Sequence, residues 1–107
     1  MEELFNKANE LGLMIRHTGV YRNFEKLSVA VERDDDASAL LKKYNEIAET
    51  IQRKNESGGI VEKYEQEMFK ALTDTVKQNP LILDYLRARD TYIELLMKIH
   101  NSISGAE

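Results

Sequence analysis

The chain has no cysteine, no tryptophan, one proline and five glycines among 107 residues. Without thiols it can form no disulfide scaffold, no thiolate nucleophile and no cysteine-ligated zinc or iron–sulfur centre of its own. With so few prolines and glycines, long helical stretches run uninterrupted between a few breaks. Long hydrophobic runs are missing too. The nearly apolar stretch Leu11 to Ile15 is about a quarter of a membrane span, so no membrane insertion is expected. Met1-Glu2-Glu3 is acidic where a secretory signal would be basic, which points to a chain retained in the cytoplasm.

Charge of one sign is also lacking. Nineteen acidic and fifteen basic residues are interleaved to a net −4, so no basic stripe exists for a phosphate backbone. Direct nucleic-acid binding is therefore not expected. What the chain does have is 42% hydrophobic residues, enough for one modest core in a single domain over 1–107.

Those residues recur at helical spacing. Leu4, Ala8, Leu11 and Ile15 mark a first helix over 2–17, with Glu3 and Lys7 paired one turn apart. Thr18 is a candidate N-cap for a shorter helix carrying Val20 or Tyr21, Phe24, Leu27 and Val31, although Val29-Ala30-Val31 would also suit an edge strand. Asp34-Asp35-Asp36 caps a third helix and places negative charge where the helix dipole favours it. The run lacks the later ligands and the glycine of a calcium loop.

From 37 to 57, Ala37, Leu40, Leu41, Tyr44, Ile47, Ala48 and Ile51 fall within an arc of about 120° at ~100° per residue. Ser57-Gly58-Gly59 ends that helix. Val61, Tyr64, Met68, Ala71 and Leu72 restart the period, widened by Phe69 and Val76. Asn79-Pro80 closes the fourth helix and opens a fifth, with Asn as N-cap and Pro in the first turn. The short breaks predict that the segments starting near 37, 60 and 80 pack as roughly antiparallel neighbours.

The fifth segment, 80–104, should be about 36 Å long. Tyr85, Ala88, Tyr92, Leu95, Leu96, Ile99 and Ile103 form one stripe, and Ile82, Leu86, Ile93 and Met97 a second. Together they span roughly 200°, where one buried face needs little more than ~100°. Either the helix is buried on two sides or one side meets a partner. Arg89 sits near the junction of the stripes, as a stem covering apolar surface or as an anchor pairing with a carboxylate across a contact. Tyr44, Tyr64, Tyr85 and Tyr92 are expected in the core with their hydroxyls at its rim. The candidate interface is thus Ile82, Leu86, Arg89, Ile93 and Met97.

A search for chemistry finds little. Neither His17 nor His100 has the Glu-x-x-His spacing of a helical metal site, and His17 suits a helix C-terminus. Gly58-Gly59 lacks the strand and the Lys-Ser/Thr of a phosphate loop. One enzymatic alternative survives, a small all-helical mutase in which Arg16, Arg53, Arg87 and Arg89 grip an anionic substrate. No catalytic, cofactor-binding or metal-binding residue is assigned.

The order of features resembles the YlbF/YmcA family over nearly the whole chain. The resemblance rests on the first amphipathic helix, Tyr21/Phe24, Asp35-Asp36-Ala37 with Leu40, Leu41 and Tyr44, the glycine break, Asn79-Pro80, and Asp84-Tyr85-Leu86 with Ala88. It implies an all-helical bundle that dimerises or assembles with other regulatory proteins. For the best-known members it implies a cytoplasmic complex promoting competence, sporulation and biofilm formation beside an RNA-cleaving enzyme. Some members ligate iron–sulfur clusters through Cys, and this chain has none.

The expectation is an all-α bundle of four to five helices with a long, broadly apolar C-terminal helix, working as a regulatory or adaptor protein without a cofactor. A structural homodimer subunit is the third reading. The purified chain should be colourless and metal-free; elemental analysis finding stoichiometric iron or zinc after chelation and gel filtration would overturn this.

Overall fold

The computed structural model describes residues 1–105 and contains five α-helices, with no strand among them. They are α1 (Glu2–Arg16), α2 (Gly19–Arg33), α3 (Asp35–Ser57), α4 (Lys63–Lys77) and α5 (Pro80–Ser104). Val29-Ala30-Val31 lies within α2, so the strand alternative is not realised. A single turn or loop at each break leaves no partner strand for it to pair with.

The helix ends follow local chemistry. Thr18 Oγ1 accepts the Tyr21 N–H at 3.2 Å, and Asp34 Oδ1 accepts the Ala37 N–H at 3.0 Å. Asn79 Oδ1 accepts the Ile82 N–H at 3.1 Å, immediately before Pro80 opens α5. Each bond satisfies one amide that a helix start would otherwise strand. Gly58 closes α3 at φ 75°, a left-handed conformation that a side chain would strain.

The chain divides into two compact units, one of Met1–Val29 with Tyr85–Glu107 and one of Ala30–Asp84. In the second unit α3 and α4 form a hairpin. Tyr44 stacks on Phe69 with ring centroids 5.6 Å apart, while Lys54 meets Glu65, so the two helices run antiparallel as the short break predicts. Val31, Ala37, Leu41, Ile47, Val76 and Ile82 supply this unit's buried apolar side chains.

Glu65 is the exception in that core, a carboxylate only 4% exposed. It bonds the Lys54 ammonium and accepts the Glu62 N–H at 2.9 Å, which also caps the first turn of α4. Turning Glu65 inward sets the rotation of α4. The buried and half-buried positions are Glu65, Phe69, Leu72, Thr73 and Val76, roughly a third of a turn from the Tyr64, Met68 and Ala71 stripe expected to face the core. Tyr64 is accordingly 63% exposed, contrary to the expectation that it is core. An apolar side chain can stay half-wet at modest cost, whereas a buried carboxylate must keep its partners.

The Lys54 hydrogen bond, and next the Glu62 amide, hold the Glu65 pKa below its ordinary 4.5. A depressed carboxylate pKa contributes stability that is present above 4.5 and disappears as pH falls through the lowered folded value. Bonding to Glu65 raises the Lys54 pKa above 10.5, so its contribution is complete below 10.5 and lost as pH rises through the raised value. Glu65→Gln should therefore lower the melting temperature at pH 7 and flatten its decline in acid, and a parallel decline in both proteins would contradict this. Ile82→Ala, at a side chain with no exposed surface, should cost about 2–5 kcal/mol in chemical denaturation.

Candidate assembly interface

In the first unit an aromatic cluster orients the C-terminal part of α5. Phe24 stacks on Tyr85 and Tyr92 at 5.7 and 5.1 Å, and Tyr21 meets Tyr92 edge-on at 5.4 Å. Offset and edge-on contacts of this kind add to apolar burial and favour particular ring positions. Ala88 is buried on the same side of α5, with Leu95 and Ile99 half-buried further along. These belong to the first stripe read from the sequence, of which Leu96 and Ile103 stay exposed.

The second stripe divides. Ile82 is fully buried and lies in the other unit, so it is core and not interface. Its position in the first turn of α5, just after the Asn79 cap, keeps it in the unit that holds α3 and α4. Leu86 and Arg89 are half-buried, while Ile93 and Met97 are 44% and 59% exposed. The four remaining candidates thus share one side of α5 within one unit. Arg89 reaches Asp90 at 3.3 Å, yet its Nε is buried without a hydrogen-bond partner. A buried donor left so is costly unless a further acceptor arrives.

Helix α1 adds surface that periodicity did not single out. None of its residues is buried, and Leu4, Phe5, Leu13 and Met14 are exposed. Leu11, Gly12 and Ile15 are half-buried, and Leu11 lines a shallow cavity of about 380 Å³ with Lys98, Ile99, Ser102 and Ile103 of α5. The signal available in the sequence was that Phe5 and Met14 lie outside the Leu4/Ala8/Leu11/Ile15 stripe. At the helix end, His17 Nδ1 lies 2.6 Å from the Leu13 carbonyl, consistent with its reading as a terminal residue.

The second unit carries an open apolar groove of about 630 Å³ on the α3/α4 hairpin. Ile47, Thr50, Met68, Ala71 and Leu72 line it, with Lys43 and Glu46 at its α3 edge. Its origin is the rotation of α4 around Glu65, which leaves Met68 and Ala71 facing outward. Sequence periodicity alone assigned these two to the core.

Nothing in either cavity gathers cations for an anionic substrate. Arg16, Arg87 and Arg89 belong to the first unit and Arg53 to the second, and none lines the two cavities. The residues present do not fit an iron–sulfur cluster, since the chain has no Cys and no group of three His, Asp or Glu among the described residues is placed to hold a metal. Among the same residues no helix is long and apolar enough to cross a membrane.

Comparison with known proteins agrees with the order of features. The family model described as control of competence regulator ComK, YlbF/YmcA, matches residues 4–106. A UPF0342 protein of Streptococcus thermophilus is 30% identical over 103 residues, covering 96% of this chain and 92% of the relative. One from Lactobacillus acidophilus is 27% identical over 104 residues, covering 97% and 90%. One from Streptococcus suis is 29% identical over 99 residues, covering 90% and 88%. With helices, breaks and a family match over residues 4–106 in agreement, this chain belongs to the YlbF/YmcA family of competence-control proteins.

Proposed function

We propose that this protein is a non-enzymatic cytoplasmic regulator or adaptor that acts as one domain through helix-mediated assembly, with itself and with other regulatory proteins. The observation that carries this reading is the side of α5 formed by Leu86, Arg89, Ile93 and Met97. Ile93 and Met97 are exposed there, whereas Tyr85, Ala88 and Tyr92 of the other stripe are buried or half-buried against the aromatic cluster. Apolar surface concentrated this way on a small domain is characteristic of association. A two-fold homodimer pairs the stripe with itself and closes the assembly without leaving a second sticky edge.

The family's described role, control of a competence regulator, supports a regulatory purpose for such assembly. A protein of this kind alters an output by binding, so its specificity lies in the surface chemistry and not in a reaction centre. Arg89 fits the pattern of an interface anchor, with a buried Nε that an acceptor on a second chain would satisfy.

Ile93→Glu combined with Met97→Glu places two charges in the stripe at positions already in contact with solvent. The unaltered chain should sediment as a dimer, and the double variant as a monomer with the same helical circular dichroism. Its unfolding free energy, compared under monomeric conditions, should change by no more than about 0.5 kcal/mol per site. Loss of cooperative unfolding would instead make the stripe part of the core, and a variant that dimerises with undiminished affinity would remove it as the contact.

A further inference from the structure

We infer that the α3/α4 groove receives helix α1 of a second copy of this chain. The inference rests on self-association as proposed above and names a contact distinct from the α5 stripe. Two unmet requirements point to it. The groove is an apolar trough between two helices with no helix in it, and α1 is an amphipathic helix with no buried residue.

Their lengths agree. The α3 edge from Lys43 to Arg53 runs about 15 Å, and α1 from Glu3 to Ile15 about 18 Å. With Leu4, Ala8, Leu11 and Ile15 turned into the trough, Glu3, Lys7 and Glu10 lie together along one edge of α1 at ~100° per residue. The exposed α3 edge carries Lys43, Glu46 and Arg53 nearest the groove, with Lys42 and Glu49 further out. One edge reads negative, positive, negative, and the other positive, negative, positive.

Handedness then ties each edge of α1 to a direction. Running antiparallel to α3, α1 presents its charged edge to α3, with Glu10 facing Lys43 and Lys7 facing Glu46 at the same three-residue spacing. Glu3 then falls within reach of the long Arg53 side chain. Running parallel, the same edge would meet Lys63, Glu67, Lys70 and Asp74 of α4, where Glu67 is already paired with Lys63 at 3.9 Å. The antiparallel course also turns Arg16 toward the Asp74 side. Within the chain Lys7 pairs with Glu10 at 3.4 Å in an exposed geometry that is readily exchanged, and Arg53 reaches the Thr50 hydroxyl at 3.5 Å.

Little opposes the transfer. On its own unit α1 gives up only half-buried contacts, such as Leu11 beside Ile99. In the groove the same stripe meets Ile47, Met68, Ala71 and Leu72, and Met68 adapts readily to a new neighbour. Reciprocal exchange of α1 between two copies is closed and two-fold, as the α5 contact also requires.

In this register Ala8 comes to the level of Ala71, and the absence of native Cys makes the contact directly testable. Chains carrying Ala8→Cys are mixed with chains carrying Ala71→Cys in a glutathione redox buffer. A mixed disulfide should form, while Asn45→Cys, on the outer side of α3, should not pair with Ala8→Cys. Lys43→Glu should weaken dimerisation and the cross-link on the order of tenfold, since the pair occurs twice in the dimer, and Glu10→Lys in the same chain should restore both.

A dimer without the 8–71 cross-link would overturn the α1 contact while leaving assembly through α5 intact; a groove reserved for a foreign helix or a small apolar ligand gives that result. A disulfide formed within single chains carrying both cysteines would also overturn it. A chain that sediments as a monomer would overturn both the contact and the self-association on which it rests.

Discussion

The bond between Lys54 and Glu65 fixes the geometry of the α3/α4 hairpin on which the rest of the second unit is built. A carboxylate with 4% of its surface exposed cannot turn without losing either its ammonium partner or the Glu62 amide. Such a pair adds little net stability over an apolar substitute, because desolvation offsets most of the attraction. Its effect is selective. Any rotation of α4 that parts Glu65 from Lys54 leaves a buried charge unpaired, so alternative packings of the hairpin are excluded more strongly than the native one is favoured. The Tyr44–Phe69 stack then sets the far end of the same hairpin.

Outward-facing apolar surface follows from that choice. With Glu65, Phe69 and Val76 turned in, Met68 and Ala71 must face out, and the groove beside Ile47 opens. The first unit shows the same economy in another form. Phe24 holds one side of α5 through Tyr85 and Tyr92, and the side with Ile93 and Met97 stays uncovered. Each unit spends its strongest contacts on orienting a helix and leaves an apolar surface beyond it.

Each unit thus presents exposed apolar surface beside its buried side chains. The protein's buried polar group is satisfied by structural partners, and Arg16, Arg53, Arg87 and Arg89 line neither the α3/α4 groove nor the cavity beside Leu11. A regulatory family is a reasonable setting for such surfaces, since binding to one partner can be traded against binding to another without any change in the fold.

The sequence by itself determined the helices and their punctuation. Thr18, Asp34, Gly58 and Asn79-Pro80 act on amides and φ angles within three or four residues, so their roles could be read locally and match the observed ends. The excess apolar arc of α5 was legible for the same reason, because it is a property of one helix. Which part of that arc is buried was decided by tertiary structure: Ile82 went into a core while Ile93 and Met97, on the same stripe, did not. The rotation of α4 was also beyond periodicity, which weighs Glu65 as a polar residue and turns it outward. Its burial depends on an ammonium eleven residues away, brought near only when the chain reverses at Gly58. Local bonds follow from sequence spacing, whereas the choice of face depends on what the rest of the fold brings against it.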